Sequence, residues 1–152
     1  MNVFELSLRL LVAAVLGGII GLEREFHHKA AGLRTQILIC VGAALFTIVS
    51  IDLGASNGTP DRIAAQIVTG IGFLGGGAIL RSGMNISGLT TAATIWVNAA
   101  IGTAAGAGKF DIATAAAVVT LVVLALLPPL ERYVDRHRGG SNAEDSSPGR
   151  DG

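Results

Sequence analysis

The run Leu6-Ser-Leu-Arg-Leu-Leu-Val-Ala-Ala-Val-Leu-Gly-Gly-Ile-Ile-Gly-Leu22, followed at once by Glu23-Arg24-Glu25, decides the fold class. With Val3 and Phe4 ahead of it, it has the length and apolarity of a membrane-crossing helix, which needs about 20 residues for a hydrocarbon core of roughly 30 Å. It reads as a retained span. Glu5 stands in its leading turn, no lysine precedes Arg9, and no small-x-small cleavage site follows. Four further apolar windows repeat the pattern, at 36–53, 63–80, 89–107 and 110–127, separated by polar breaks at 23–35, 54–62, 81–88 and 108–109. The expectation is an all-α polytopic membrane protein with five transmembrane helices. They occupy residues 1–130, and a polar tail covers 131–152. Pro128-Pro129 should close the fifth helix, because proline lacks the amide donor and clashes with the preceding turn. The Gly/Ser/Asp/Arg-rich tail buries too little apolar surface to order itself beyond its first turns.

Composition points the same way. The 152 residues are 51% apolar and only 14% charged, where a soluble domain carries roughly 25% charge. Eleven basic residues balance 11 acidic ones, so the basic surplus of a nucleic-acid binder is missing. One cysteine, Cys40, excludes an intrachain disulfide framework and a cysteine zinc cluster; midway along the second window, it reads as a small core residue. The basic residues are unevenly placed. Arg24, Lys29, Arg34, Arg81, Arg132, Arg136, Arg138 and Arg150 fall on one side, against Arg9, Arg62 and Lys109 on the other. The positive-inside rule then puts the amino terminus outside and the carboxyl terminus in the cytoplasm.

Several motifs fail on context. Gly70-Ile-Gly72-Phe-Leu-Gly75 has the spacing of a dinucleotide loop, but it lies inside an apolar window with no acidic residue about 20 positions on. The segment around Gly106-Ala-Gly108-Lys109 has Thr103 and Phe110 where a phosphate loop needs glycine and a hydroxyl. His27 and His28 are sequence neighbours and do not share a helix face. No nucleophile–base pair or metal-ligand spacing emerges, so an enzyme is not expected.

In lipid, helices associate through small residues and interhelical hydrogen bonds. Gly17 and Gly21 in the first window, Gly72 and Gly76 in the third, and Gly102 with Gly106 in the fourth are the packing glycines. The first, third and fourth helices should therefore form the centre, with the Val/Leu-rich fifth facing lipid. The glycines between 70 and 77 also mark a candidate kink. On the cytoplasmic side, Glu23, Arg24, Glu25, Arg34 and Arg81 either converge on one polar network or simply mark the headgroup boundary. On the outer side, Asp61 and Arg62 follow Pro60 at the start of the third helix, a capping arrangement. Within the spans lie Gln66 and Thr69, and Thr91, Thr94 and Asn98 at i, i+3 and i+7 on one stripe.

These segments resemble the MgtC/SapB family of bacterial inner-membrane proteins. Gly21-Leu-Glu23-Arg24-Glu25 and Ala31-Gly32-Leu33-Arg34-Thr35 are similar to its opening signature. Residues 60–77, from Pro60-Asp61-Arg62 to Gly75-Gly76-Gly77, are similar to its central motif, and Gly88-Leu89-Thr90-Thr91-Ala92-Ala93-Thr94-Ile95-Trp96 to its third. The resemblance implies a role in magnesium limitation, acid stress or survival inside host cells. Its partner would be another membrane complex, such as the ATP synthase or a magnesium uptake system. It singles out Glu23, Arg24, Glu25, Arg34, Asp61, Arg62, Gln66, Arg81, Thr91 and Trp96. Many relatives carry a folded cytoplasmic domain after the last span, where this sequence has a polar tail.

Two functions compete. One is an accessory or regulatory membrane protein surrounded by lipid, with a membrane complex or a second copy as partner and no nucleic acid. The other is a transporter or channel for magnesium or protons. Mg²⁺ sheds water reluctantly and favours carboxylate oxygens. Glu5, Glu23, Glu25, Asp52, Asp61 and Asp111 all fall at helix ends, and the three histidines fall outside the spans. That distribution favours the accessory role; no cofactor is expected, and Mg²⁺ stays an open alternative that no intramembrane carboxylate supports.

Overall fold

The computed structural model describes residues 2–57, 62–82 and 85–139. Those residues form five α-helices and one short hairpin: α1 (Val3–Phe26), α2 (Leu33–Asn57), α3 (Arg62–Gly77), β1 (Leu80–Ser82), β2 (Asn85–Ser87), α4 (Leu89–Gly106) and α5 (Phe110–Gly139). Three helical stretches are long and apolar enough to cross a membrane, Val3–Phe26, Leu33–Gly54 and Phe110–Pro129, and Ile63–Gly77 is a shorter apolar helix. The chain divides into two units, Met1–Leu121 and Val122–Gly152; α1 to α4 and the first turns of α5 belong to the first.

Local chemistry sets the helix ends. Asn2 caps α1, its Oδ1 accepting from the Glu5 amide at 2.8 Å. Beyond Phe26 the chain turns through His28 at φ 51°, and the Lys29 amide returns to the Arg24 carbonyl at 3.0 Å. The Glu25 carboxylate accepts from the amide of Leu33, the first residue of α2, at 3.0 Å; an anion there complements the helix dipole. Gly88, ahead of α4, has φ 87°, and a Cβ on it would run into the Ala78 carbonyl oxygen. Both facts require glycine.

Sequence-based boundaries shift in three places. The second helix starts at Leu33, so Arg34 and Thr35 are helical. The third ends at Gly77, and Leu80 enters an antiparallel hairpin with register Leu80↔Ser87, Arg81↔Ile86 and Ser82↔Asn85; three-residue strands leave too little alternation to read. The fifth helix does not stop at Pro128-Pro129 but runs on to Gly139. Each proline removes only its own amide donor, leaving the Leu124 and Ala125 carbonyls without their usual partners, and membrane helices tolerate such gaps. Residues 140–152 lie outside the described residues.

The packed centre of the first unit is α1, α2 and α4. A Cβ on Gly17 would stand 2.6 Å from the Cys40 Cβ, and one on Gly21 would stand 2.7 Å from the Leu33 Cα. Cβ atoms on Gly102 and Gly106 would strike the carbonyls of Cys40 and Ala44. Thus α1 and α4 each bring two glycines against the α2 backbone, where Cys40, Ala43 and Ala44 are buried. The expectation that α3 sits at the centre is corrected. Among the described residues, a Cβ added at Gly70, Gly72, Gly76 or Gly77 would meet nothing within 4 Å, so Gly72 and Gly76 pack against none of them; of the α3 glycines it is Gly75 that lies against α4, at Ala92. The second helix went unnoticed because alanine and cysteine, not glycine, make its close-approach face. On α5, Ala113 and Ala117 are buried while Ile112, Val118 and Val119 are exposed.

Candidate functional site

A polar seam runs between α1, α2 and α4. Arg24, in the last turn of α1, is only 3% exposed. Its Nη2 donates to Thr91 Oγ1, in the first turn of α4, at 3.3 Å, and its Nη1 stands 3.9 Å from Glu23 Oε2. The other Glu23 oxygen pairs with His27 Nδ1 at 3.1 Å. Deeper in, Asn98 is fully buried, and its amide nitrogen donates to both the backbone carbonyl of Gln36 (2.7 Å) and its Oε1 (2.8 Å). Gln36, also fully buried, donates from Nε2 to the Ala31 carbonyl at 3.4 Å. Thr94 lies between the two sets on α4, buried, with its hydroxyl on the Thr90 carbonyl at 2.7 Å. Three atoms of this seam, Arg24 Nε, Glu23 Oε2 and Asn98 Oδ1, are buried without a hydrogen-bond partner among the described residues.

The opposite ends of the same two helices are joined by a second arginine. Arg9 Nη1 donates to the carbonyl of Gly106, the last residue of α4, at 2.7 Å, while Nη2 pairs with Glu5. A cation at a helix C-terminus meets the negative end of the dipole. Arg9 and Arg24 are fifteen positions apart on α1, as are Gly106 and Thr91 on α4. At 1.5 Å per residue each spacing is about 22 Å, so the matched spacing locks α1 and α4 in antiparallel register.

The candidate residues separate into three groups. Glu23, Arg24, Thr91, Thr94 and Asn98 lie along the seam, and Glu25 sits beside them on the α2 terminus. Arg34 does not join them; its side chain is exposed. Gln66 and Thr69 are exposed on α3 instead of facing the core. Asp61 lies outside the described residues. Arg62 begins α3 and Arg81 sits in β1 opposite Ile86, and their side chains too lie outside what the structure describes. The sequence reading missed Gln36 and the part played by Arg9. An amide one turn inside an apolar helix, and an arginine inside the first apolar window, were the available signals. Among the described residues no three His, Cys, Asp or Glu side chains come together.

The family model described as MgtC family matches residues 10–133. The chain belongs to the MgtC family. It is 50% identical over 123 residues to the protein MgtC of Brucella abortus, covering 81% of this chain and 51% of that protein. It is 45% identical over 144 residues to MgtC of Salmonella paratyphi A, covering 95% of this chain and 62% of the relative. An uncharacterised protein from Synechocystis is 49% identical over 131 residues, 86% of this chain and 56% of that one. The chain thus spans about half to three fifths of the length of these relatives. No solved structure matches it. The seam from Arg24 to Asn98 and the Gly106 anchor all fall inside the stretch matched to the MgtC family; Arg9 stands one residue ahead of it.

Proposed function

We propose that this MgtC-type membrane protein crosses the bacterial inner membrane five times, amino terminus outside and carboxyl terminus in the cytoplasm. There it acts as an accessory or regulatory protein on another membrane complex, such as the ATP synthase or a magnesium uptake system, during magnesium limitation, acid stress or life inside a host cell. It performs no catalysis of its own. The observation that carries the reading is the use made of the buried polar groups. Asn98 and Gln36, and Arg24 and Thr91, bond helix to helix and so hold a scaffold together. Supporting it further, Glu25 stands on a helix terminus and Glu5 is tied to Arg9, leaving these carboxylates at helix ends.

A transporter for magnesium or protons is the second reading, and the buried, unpartnered Asn98 Oδ1 favours it. Reconstitution into liposomes loaded with a magnesium- or pH-sensitive dye separates the two. The accessory role is expected to give no flux and a membrane complex that co-purifies with the chain. Flux abolished by Glu25→Gln or Asp61→Asn would overturn it.

A further inference from the structure

We infer that Arg24 and the start of α4 together form a binding site for a phosphate group, carried by a lipid headgroup or by a free phosphate ion. The first observation is the helix terminus. The leading amides of α4, on Leu89, Thr90 and Thr91, have no carbonyl to bond within the helix. Gly88 ahead of them brings no side-chain cap, and among the described residues no backbone carbonyl accepts from them. Three such amides at the positive end of an 18-residue helix can cradle an anion.

The second observation is independent and comes from α1. Arg24 is 3% exposed, yet its guanidinium is far from satisfied. Of its five N–H donors, one meets Thr91 Oγ1, in that same first turn of α4, at a long 3.3 Å. Nε is buried and has no partner among the described residues. Neither neighbouring carboxylate supplies what is missing. The nearer Glu23 oxygen stands 3.9 Å from Nη1, beyond hydrogen-bond reach, and the other pairs with His27. Glu25 is committed to the Leu33 amide. A buried cation thus reaches toward a helix end that is itself positive, which is unfavourable for both. An anion between them satisfies both.

The donors select a phosphate group. Backbone amides, a forked guanidinium and the Thr90 and Thr91 hydroxyls are many donors for one ligand, and a phosphate offers several strong acceptor oxygens. The level of the site in the molecule agrees. Arg24 is two residues from the end of Val3–Phe26, a stretch long and apolar enough to cross a membrane, which puts it at the depth of the headgroups. Leu22 and Phe26, on either side of it in the chain, and Leu89 at the start of α4 are exposed, and suit an acyl chain running beside the phosphate. The inference stands apart from the accessory role, since an accessory protein and a transporter can each carry such a site.

Binding to the full chain in detergent tests it, with sodium phosphate compared with sodium chloride at equal ionic strength, and phosphatidylglycerol followed separately by native mass spectrometry. A saturable rise in melting temperature with phosphate, and no lipid retained, identifies the free ion as the ligand; retained phosphatidylglycerol identifies the headgroup. Arg24→Lys keeps the charge but loses Nε–H and the fork. It should weaken binding by roughly tenfold, the scale of one charge-assisted hydrogen bond. Thr90→Asp sets a carboxylate on the helix terminus, which favours the helix and repels an anion. It should abolish binding without lowering the melting temperature of the unliganded protein, which separates loss of the site from loss of the fold. His28→Asp adds the same charge at an exposed position between α1 and α2 and should bind as the parent does. No saturable response to either ligand would overturn the inference. So would binding that survives Thr90→Asp unchanged, or that His28→Asp weakens equally.

Discussion

Asn98 commits both amide hydrogens to Gln36, one to its backbone and one to its side chain. Replacing it with leucine leaves a buried Gln36 Oε1 unpaired, which costs about 1–3 kcal/mol. Asn98→Leu should therefore lower the melting temperature in detergent, while Thr114→Val, at an exposed position, leaves it unchanged. The arginines allow a similar comparison. Arg24 is buried against Thr91 and Arg34 is exposed, so Arg24→Ala should destabilise the solubilised protein clearly more than Arg34→Ala; equal melting curves would contradict the seam. Charge spacing in the sequence drew both arginines into one network, because each stands two residues from an apolar window, Arg24 after the first and Arg34 before the second. Which of them turns inward depends on the helix phase. Arg24 lies on the α1 face that carries Ala13, Gly17 and Gly21, and Arg34 lies on the outer side of α2.

Glycine acts at the scale of the element, and its effect depends on what the element faces. On α4, Gly102→Ala drives a methyl group into the Cys40 carbonyl and forces α2 and α4 apart. On α3, Gly72→Ala meets nothing and gains up to about 1 kcal/mol of helix propensity. In monomeric detergent-solubilised protein, thermal unfolding should show a marked loss for Gly102→Ala and no loss for Gly72→Ala. The existence of all five helices was legible from apolar windows of the right length, and so was the buried stripe of Thr91, Thr94 and Asn98. The partners of those helices were not. Gly72-x-x-x-Gly76 and Gly102-x-x-x-Gly106 are the same pattern in one dimension, yet only the second meets a backbone. The β1–β2 hairpin and the helical run through Pro128-Pro129 were missed for a related reason. Single-residue rules describe local cost, and the surrounding structure decides whether that cost is tolerated.

Across the whole molecule, the two arginine links set α1 and α4 antiparallel, with Arg9 and Arg24 about 22 Å apart along one helix. If five helices cross, Lys29 and Lys109 end on opposite sides. Maleimide labelling of Lys29→Cys and Lys109→Cys in intact cells should then modify only the second, and the first only after permeabilisation; labelling of both from outside would overturn the proposed topology. Both sites are exposed, so neither change should disturb packing.

The sequence by itself determined the medium and the element type, because apolar length and charge scarcity are sums over residues and need no knowledge of neighbours. Family membership was likewise readable from short ordered motifs. Only the tertiary structure decided that α2, not α3, is the helix gripped from both sides, that Gln36 closes the polar seam, and that Gly70, Gly72, Gly76 and Gly77 on α3 are left open among the described residues while Gly75 packs on Ala92. Those outcomes rest on distances of a few ångströms between segments far apart in the chain. Polar bonds and close backbone contact fall off over that range, and no periodicity within a single segment encodes it.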